Sequence, residues 1–349
     1  MTSRRRGLSC WCSSSERSEA DNDRQRHTAP SLIGGPEKRG DEDDQSFYSL
    51  EDSIQRSMGV TIPRDESGGC RPSWSSTHFG IFNLRIGPGY SKYGRKAPSE
   101  SPLYGPVGMD AFRSKRGIVG RVVPSLKFPE IPSYYDPACG LPALVLLMAQ
   151  LPLEMPNLFG RGLPDFGISF GGYFIIKREA VEWGLQLAKL EESVAQKNDD
   201  PSIKHSAMLP PISSSIPPAV RQWSRLLKRG FSDKSLCLKA VAQIRDFDSH
   251  NIPMGSVFKK YNGKPGTITA SATFLPGKVP YPHCEIDFDI RKWNLLARSA
   301  FPSLKDKLPD LTIDIGVVVE GTTDDELPER LLGAMAVHGL DWRRATDFD

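Results

Sequence analysis

The sequence Cys-Glu-Ile-Asp-Phe-Asp-Ile at residues 284–290 alternates apolar side chains with acidic ones at every step. A period of two residues predicts a β-strand, because successive side chains of a strand point to opposite faces. Glu285, Asp287 and Asp289 would therefore share one face, with the apolar residues on the other. Residues 312–320, rich in isoleucine and valine, predict a second strand.

The same kinds of pattern predict further elements along the chain. Strands are predicted at residues 81–86, 144–149, 168–177, 235–244 and 267–274. Helices are predicted at residues 178–196, 219–229 and 294–300, with a last helix from Pro328 through Gly333. Because most strands follow one another without a long crossover, we expect an α+β fold with a mainly antiparallel sheet, flanking helices and a single domain.

The first 76 residues differ in composition from the rest of the chain. They are rich in serine and charged residues and poor in apolar ones, so we expect a disordered tail. The one apolar patch in this tail is Phe47-Tyr48-Ser49-Leu50, which is either a short docking motif or an incidental feature. The domain is expected to cover residues 77–345 and to contain a Ser/Pro-rich insert at residues 198–218.

The charge of the chain is nearly balanced overall but uneven along its length. The formal net charge is +3; residues 1–70 carry 10 basic and 13 acidic residues, and the remainder carries 35 and 29. A mildly basic domain suits an anionic surface or ligand, but this balance does not predict nucleic-acid binding. The longest apolar run, residues 141–153, contains two prolines and is shorter than the roughly 20 residues of a membrane span, so we expect no transmembrane segment.

Motifs for zinc binding and covalent catalysis do not occur in the sequence. The six cysteines form no Cys-x-x-Cys pair, and there is no glycine-rich phosphate loop or nucleophile motif. We therefore expect no cofactor and no enzyme active site. Arg4-Arg5-Arg6 with Cys10 and Cys12 fits lipidation, organelle targeting or an inert tail. The expected location is cytoplasmic or peripheral on a membrane, with organelle targeting left open.

The acids of residues 284–290 are the first candidate site. Glu285, Asp287 and Asp289 would bind a hard cation or act in acid/base catalysis if their face of the strand were open. Alternatively they pair with Arg85 or Lys96 from neighbouring strands, and Asp289 caps the next helix.

A second acidic group follows the strand at residues 312–320. It consists of Glu320, Asp324, Asp325, Glu326 and Glu329. These acids fit either a ligand site or the acidic first turn of a helix. Convergence of Glu285, Asp287, Glu326 and Glu329 within about 5 Å of a common point would favour a metal site.

The third candidate lies on the predicted helix at residues 219–229. Its members are Arg221, Trp223, Arg225 and Lys228. Basic residues at this spacing beside a tryptophan are typical of a short helix at a membrane interface. An ordinary surface helix with Trp223 buried against the sheet shows the same pattern.

Several short motifs occur in the order known from one family. They are Phe82-Asn83-Leu84-Arg85, Gly87-Pro88-Gly89-Tyr90, Gly108-Met109-Asp110-Ala111-Phe112, Leu141-Pro142-Ala143-Leu144, Glu285-Ile286-Asp287-Phe288-Asp289-Ile290 and Glu326-Leu327-Pro328-Glu329. In this order they resemble the ENHANCED DISEASE RESISTANCE 2 C-terminal domain of plants. The resemblance implies a regulator of defence and cell death. The best-known plant members carry lipid-binding pleckstrin-homology and START domains upstream, and we expect neither within the first 76 residues, which are too few for them.

These observations favour a non-catalytic regulatory or ligand-binding module that engages lipid, an anionic membrane surface or a protein partner. Two alternatives stay open. One is a metal-assisted enzyme that uses Glu285, Asp287 and Asp289, and the other is an interaction scaffold without a small ligand. An enclosed apolar cavity in the fold would favour lipid binding over the scaffold.

Overall fold

The computed structural model describes residues 56–114, 119–156, 167–198, 215–230 and 237–348. Within these ranges the chain forms fifteen β-strands and five α-helices. The strands are β1 Arg56–Ser57, β2 Ser73–Ser75, β3 Asn83–Arg85, β4 Lys96–Pro98, β5 Tyr104–Arg113, β6 Leu126–Lys127, β7 Leu144–Pro152, β8 Gly167–Ile176, β9 Leu238–Ile244, β10 Gly266–Thr267, β11 Ala272–Gly277, β12 His283–Asp289, β13 Thr312–Val319, β14 Leu331–His338 and β15 Thr346–Asp347. The helices are α1 Tyr90–Tyr93, α2 Arg178–Asn198, α3 Pro218–Arg229, α4 Gly255–Tyr261 and α5 Leu295–Leu304.

Two sheets build the centre of the fold. The larger has six strands in the order β11-β12-β7-β8-β5-β15, and the smaller has five in the order β10-β9-β13-β14-β2. Every pair in the smaller sheet is antiparallel, whereas β12 runs parallel to β7 and β15 parallel to β5 in the larger one. The predicted α+β class with mainly antiparallel sheets in a single domain is confirmed.

The two sheets pack against each other through β8 and β14. Phe174 of β8 and Met335 of β14 are both buried, and the Phe174 ring lies over Gly333. A Cβ atom at Gly333 would come within 2.6 Å of that ring. Only glycine therefore allows the two backbones to approach this closely without moving the aromatic side chain.

The segment before the expected domain border is folded. Asp110, buried on β5, accepts hydrogen bonds of 2.8 Å from the backbone N–H groups of Gly59 and Thr61. The hydroxyl of Tyr173 donates a third bond to the same carboxylate at 2.7 Å. Further along, β2 pairs with β14 and becomes a strand of the smaller sheet. The expected disorder is therefore wrong for residues 56–76, because a buried carboxylate on β5 binds their backbone.

The other borders also differ from the prediction. β15 pairs with β5 and extends the larger sheet beyond the expected end at residue 345. Residues 1–55 of the predicted tail and residues 199–214 of the predicted insert lie outside the described residues.

Two predicted elements are wrong. The helix expected from Pro328 through Gly333 is replaced by β14, a strand that pairs with β13 on one side and β2 on the other. All eight residues of β14 are buried, and a strand covered on both faces lacks the alternation that would distinguish it from a helix. The strand expected at residues 267–274 is divided between β10 and β11, which belong to different sheets.

Most of the remaining predictions are confirmed. The predicted helices at residues 178–196, 219–229 and 294–300 correspond to α2, α3 and α5, and the predicted strands at residues 144–149, 168–177, 235–244, 284–290 and 312–320 to β7, β8, β9, β12 and β13. No helix in the described part of the chain is both long and apolar enough to cross a bilayer.

We expect Asp110→Ala to lower the free energy of unfolding by about 3 kcal/mol, because the N–H groups of Gly59 and Thr61 and the Tyr173 hydroxyl would lose their buried acceptor. Urea unfolding followed by circular dichroism measures this change. The matched control is Asp248→Ala, an exposed aspartate whose removal should cost no more than about 0.5 kcal/mol. Equal losses for the two variants would show that Asp110 does not hold the segment.

Candidate functional site

The tryptophan of helix α3 faces the protein interior. The Trp223 side chain has no exposed surface, and its indole N–H donates to the hydroxyl of Tyr104 at 3.0 Å. The ring of Phe274 on β11 meets it edge to face, with centroids 6.5 Å apart. The structure thus shows the surface helix that buries Trp223 against the sheet, and this tryptophan is not available as a membrane anchor.

The basic residues of α3 are engaged with acidic segments of the same chain. Arg225 forms an ion pair of 2.8 Å with Glu326, and Lys228 forms one of 2.6 Å with Glu191 on α2. Arg221 donates to the backbone carbonyl of Asp325 at 3.3 Å. These contacts fasten α3 to α2 and to the loop after β13, which is a structural use of the charges.

The acids of β12 are buried rather than displayed on an open face. Glu285 is 1% exposed and Asp287 6% exposed. Glu285 accepts hydrogen bonds from the backbone N–H groups of Val122 at 2.8 Å and Val123 at 3.2 Å. Asp287 accepts one from the N–H of Arg121 at 3.0 Å. The predicted pairing of these two acids with Arg85 or Lys96 is wrong, because their partners are backbone groups of residues 121–123.

Asp289 behaves as the alternative interpretation predicts. Its carboxylate accepts from the backbone N–H of Arg291 at 3.0 Å and forms an ion pair with the same arginine. It therefore caps the single 3-10 turn Ile290–Lys292 that follows β12.

Residues 119–123, which we name the strap, cross the polar side chains of three neighbouring strands. The carbonyl oxygen of Val119 accepts from Ser169 on β8 at 2.6 Å and from the amide of Gln150 on β7 at 3.2 Å. A Cβ atom at Gly120 would come within 2.8 Å of the Asp287 carboxylate. The strap therefore lies directly on the acids of β12, and its path depends on them.

The buried carboxyl groups of Glu285 and Asp287 on β12 both have a raised pKa. Burial raises the pKa of Glu285 to about 8, and the negative charge of Asp287 adds to this effect. Burial also raises the pKa of Asp287. The hydrogen bond from the N–H of Arg121 opposes this shift, because it favours the charged carboxylate. A protonated Glu285 beside a charged Asp287 is the state that avoids two adjacent buried negative charges.

The acidic group after β13 is likewise internally paired. Glu326 caps the 3-10 turn Asp324–Glu326 through a reciprocal capping box with Thr323. Glu329 is 5% exposed, and its carboxylate accepts from the backbone N–H of Arg85 at 3.1 Å and from that of Gly321 at 3.3 Å. This is the acidic-turn interpretation, with a 3-10 turn in place of the expected helix.

A shared ligand site for the two acidic groups finds no support in the geometry. The charged partners of Glu329 are Arg85 and Lys239, and Glu320 pairs with the same two cations at 2.7 Å. In the described ranges, no group of three or more His, Cys, Asp or Glu side chains is placed to hold a metal ion.

Residues 83–98, which we name the basic hairpin, form a charged surface that the sequence interpretation overlooked. β3 and β4 pair in it, and the turn between them contains α1. It carries Arg85, Lys92, Arg95 and Lys96 and no acidic residue. Four cations and two tyrosines among sixteen residues without an acid are the sequence signal of this surface.

The outer part of the basic hairpin is open to solvent. Tyr93 is 62% exposed, with the ammonium of Lys92 5.0 Å and the guanidinium of Arg95 5.8 Å from its ring centre. Lys92, Arg95 and Lys96 are all exposed, and none has a carboxylate partner within the ranges that the structure describes. Only Arg85, at the base, is neutralised by acids. Within the described ranges the hairpin therefore presents an exposed aromatic ring and three cations without a carboxylate partner.

A cleft of about 600 Å³ lies between residues 123–131 and residues 279–281, the latter just before β12. Its lining is largely apolar and is open on the surface, so it is not the enclosed cavity that would favour internal lipid binding. The hydroxyl of Tyr281 donates to the carbonyl of Pro129 at 2.9 Å, and the ring of Phe128 meets those of Tyr281 and His283 edge to face. The wall at residues 123–131 continues directly from the strap.

The proton on Glu285 gives the stability a pH dependence with a definite sign. The pKa of this group is 4.5 without the fold and about 8 in it, so the folded state binds a proton that the unfolded state releases. The contribution of this bound proton to the free energy of unfolding is fully present below about pH 4.5 and is lost as the pH rises towards about 8. The Glu285→Gln variant has no proton to lose at this position. Between about pH 4.5 and pH 8 we therefore expect its free energy of unfolding to rise, relative to that of the wild type, by about 1 kcal/mol or more.

Urea unfolding at several pH values measures the difference between the two proteins. Glu182→Gln, which replaces an exposed glutamate on α2, is the control and should follow the wild type. Parallel pH curves for wild type and Glu285→Gln would mean that Glu285 is ionised in the fold and that the carboxyl pair does not hold a proton.

A family model described as Protein ENHANCED DISEASE RESISTANCE 2, C-terminal, matches residues 74–341. The match begins within β2 and covers more than three quarters of the 349 residues. No curated protein and no solved structure matched the chain. The chain belongs to the family of the ENHANCED DISEASE RESISTANCE 2 C-terminal domain.

Proposed function

We propose that this chain is a non-catalytic module that binds peripherally to an anionic membrane surface through the basic hairpin. The observation that carries the proposal is the exposed ring of Tyr93 beside Lys92 and Arg95, with the exposed Lys96 on β4 of the same hairpin. An aromatic ring with a polar tip suits the headgroup level of a bilayer, and unpaired cations suit its anionic lipids.

The size of the expected attraction is compatible with reversible binding. Each basic residue near an anionic bilayer contributes about 1 kcal/mol, so three of them strengthen binding by about 3 kcal/mol, or roughly a hundredfold. The cytoplasmic leaflet carries most anionic lipid, so the proposed location is peripheral on that face. The proposed membrane contact is on a different element from α3, whose tryptophan is buried.

The base of the hairpin supports the proposal because it is rigidly fixed. Phe82 and Leu84 are buried in an apolar cluster of the smaller sheet. The backbone N–H of Gly89 donates to Asp324 at 2.8 Å, and Glu329 binds both the N–H and the guanidinium of Arg85. A fixed base orders the cations before contact with lipid, so less conformational entropy is lost on binding.

The non-catalytic part of the proposal is supported by how the acids are used. Glu285 and Asp287 are buried against the strap, Glu326 pairs with Arg225, and Glu329 is buried between Arg85 and Lys239. A general acid or base needs access to a substrate proton, and these groups contact their own chain instead.

Co-sedimentation with vesicles tests the proposal. The full chain is expected to pellet with phosphatidylcholine vesicles that contain phosphatidylserine and not with pure phosphatidylcholine, and added salt should release it. The variant Lys92→Glu/Arg95→Glu/Lys96→Glu should lose binding by roughly a hundredfold or more. A weaker loss is expected for Tyr93→Ser, which removes the ring but keeps the charges.

The control carries the same change of net charge elsewhere on the surface. Lys189→Glu/Lys260→Glu/Lys264→Glu reverses three exposed lysines outside the hairpin and should bind vesicles within a few-fold of the wild type. Equal losses in the two triple variants would reduce the effect to net charge and overturn the assignment to the hairpin. If the wild-type chain never pellets with the vesicles, the membrane proposal is excluded. A soluble acidic partner would then be the remaining candidate for these cations.

A further inference from the structure

Two apolar side chains at the cleft are exposed to solvent. Val279 is 82% exposed and Ile131 is 44% exposed, on opposite sides of the cleft. Phe128 and Tyr281 stand between them in the lining. Its volume, about 600 Å³, falls in the range of about 300–1,000 Å³ that suits a small ligand or a few side chains.

The start of the described chain lies beside one wall of this cleft. β1 pairs in parallel with β6, so that Arg56 is opposite Leu126 and Ser57 opposite Lys127. Leu126 and Lys127 are themselves lining residues. The described chain therefore begins against a residue of the cleft wall.

The segment that precedes Arg56 contains an apolar motif within reach of the cleft. Phe47-Tyr48-Ser49-Leu50 ends six residues before Arg56. An extended chain covers at most about 3.5 Å per residue, so six residues span about 20 Å. That distance is enough to bring the motif from the end of β1 into a cleft whose wall begins at the β1 partner.

The chemistry of the motif matches that of the cleft. Two aromatic side chains and a leucine would pack on the aromatic and proline-rich lining, which includes Phe128 and Tyr281. The acids Glu51 and Asp52 follow the motif directly, and the exposed lysines Lys127 and Lys278 lie on or beside the rim. The lining also contains one acid, Glu130, and the two lysines outnumber it, so the charge at the rim is opposite to that of the acids after the motif.

We propose that residues 47–50 of this chain dock intramolecularly into the cleft between residues 123–131 and residues 279–281. The apolar rim is then covered by the chain itself, and the cleft is a docking site for an aromatic peptide with acidic residues after it. This inference is independent of the membrane proposal, which concerns the basic hairpin.

Hydrogen exchange of the full-length chain tests the docking. In the variant Phe47→Ser/Tyr48→Ser/Leu50→Ser we expect peptides that cover residues 119–131 and residues 275–283 to exchange about tenfold faster than in the wild type, because the cleft loses its cover. The matched control is Trp11→Ser/Leu32→Ser/Ile33→Ser, which removes three apolar residues at other places in the same tail. Its exchange in the two peptides should equal that of the wild type.

A change on the cleft side completes a double-mutant cycle. Val279→Asp alters an exposed rim residue, so the fold should persist, and it is expected to accelerate exchange as the tail variant does. Combined with the tail variant it should add little, because both changes break the same contact. Additive effects would place the motif and the cleft in separate interactions and overturn the proposal, as would unchanged exchange in the tail variant.

The protein concentration distinguishes docking within one chain from docking between two copies of the chain. Intramolecular docking predicts the same exchange in both peptides at two protein concentrations tenfold apart. Protection that appears only at the higher concentration would assign the cleft to the tail of a second copy and overturn the intramolecular assignment. Acceleration by the control variant equal to that by the motif variant would also overturn it, since the effect would then not depend on residues 47–50.

Discussion

The backbone N–H groups of Arg121, Val122 and Val123 point into the protein and need acceptors there, since a buried donor without a partner costs about 1–3 kcal/mol. Glu285 and Asp287 on β12 supply those acceptors. The position of the strap, and with it the wall of the cleft at residues 123–131, depends on this contact. Two carboxyl groups in one buried site destabilise the fold. This destabilisation is smaller when one of them keeps its proton.

Buried carboxylates hold two other segments of the chain in the same way. Asp110 on β5 accepts the backbone N–H groups of Gly59 and Thr61, and Glu329 accepts those of Arg85 and Gly321. In each case a buried carboxylate accepts backbone N–H groups that the two large sheets leave without a strand partner, and so holds the segment against them. Much of the polar chemistry inside this fold therefore supports backbone, and the acids that looked like a candidate site are part of that support.

This internal use of acids shapes the surface. Glu320 and Glu329 neutralise Arg85 and Lys239 in the interior, and Glu326 neutralises Arg225 on α3. Lys92, Arg95 and Lys96 of the basic hairpin receive no such partner within the described ranges. The net positive charge of the domain is small, but its distribution leaves one hairpin with cations and an exposed tyrosine. Local arrangement rather than the total charge thus supports an anionic partner.

The amino-acid sequence by itself determined the class of the fold, the family, and those elements whose patterns are local. β13 and α2 could be predicted because a period of two or of 3.6 residues depends only on neighbours in the chain. β14 could not, because a strand covered on both faces has no alternation, and β5 could not, because it lies in a passage rich in turn residues. Tertiary structure alone decided that Glu285 and Asp287 of β12 face the strap and that Trp223 is buried against Tyr104. It also decided that Lys92, Arg95 and Lys96 have no carboxylate partner among the described residues. Burial and charge pairing are set by segments distant in the chain, such as residues 121–123 for Glu285, and a local pattern contains no information about which segment will cover it.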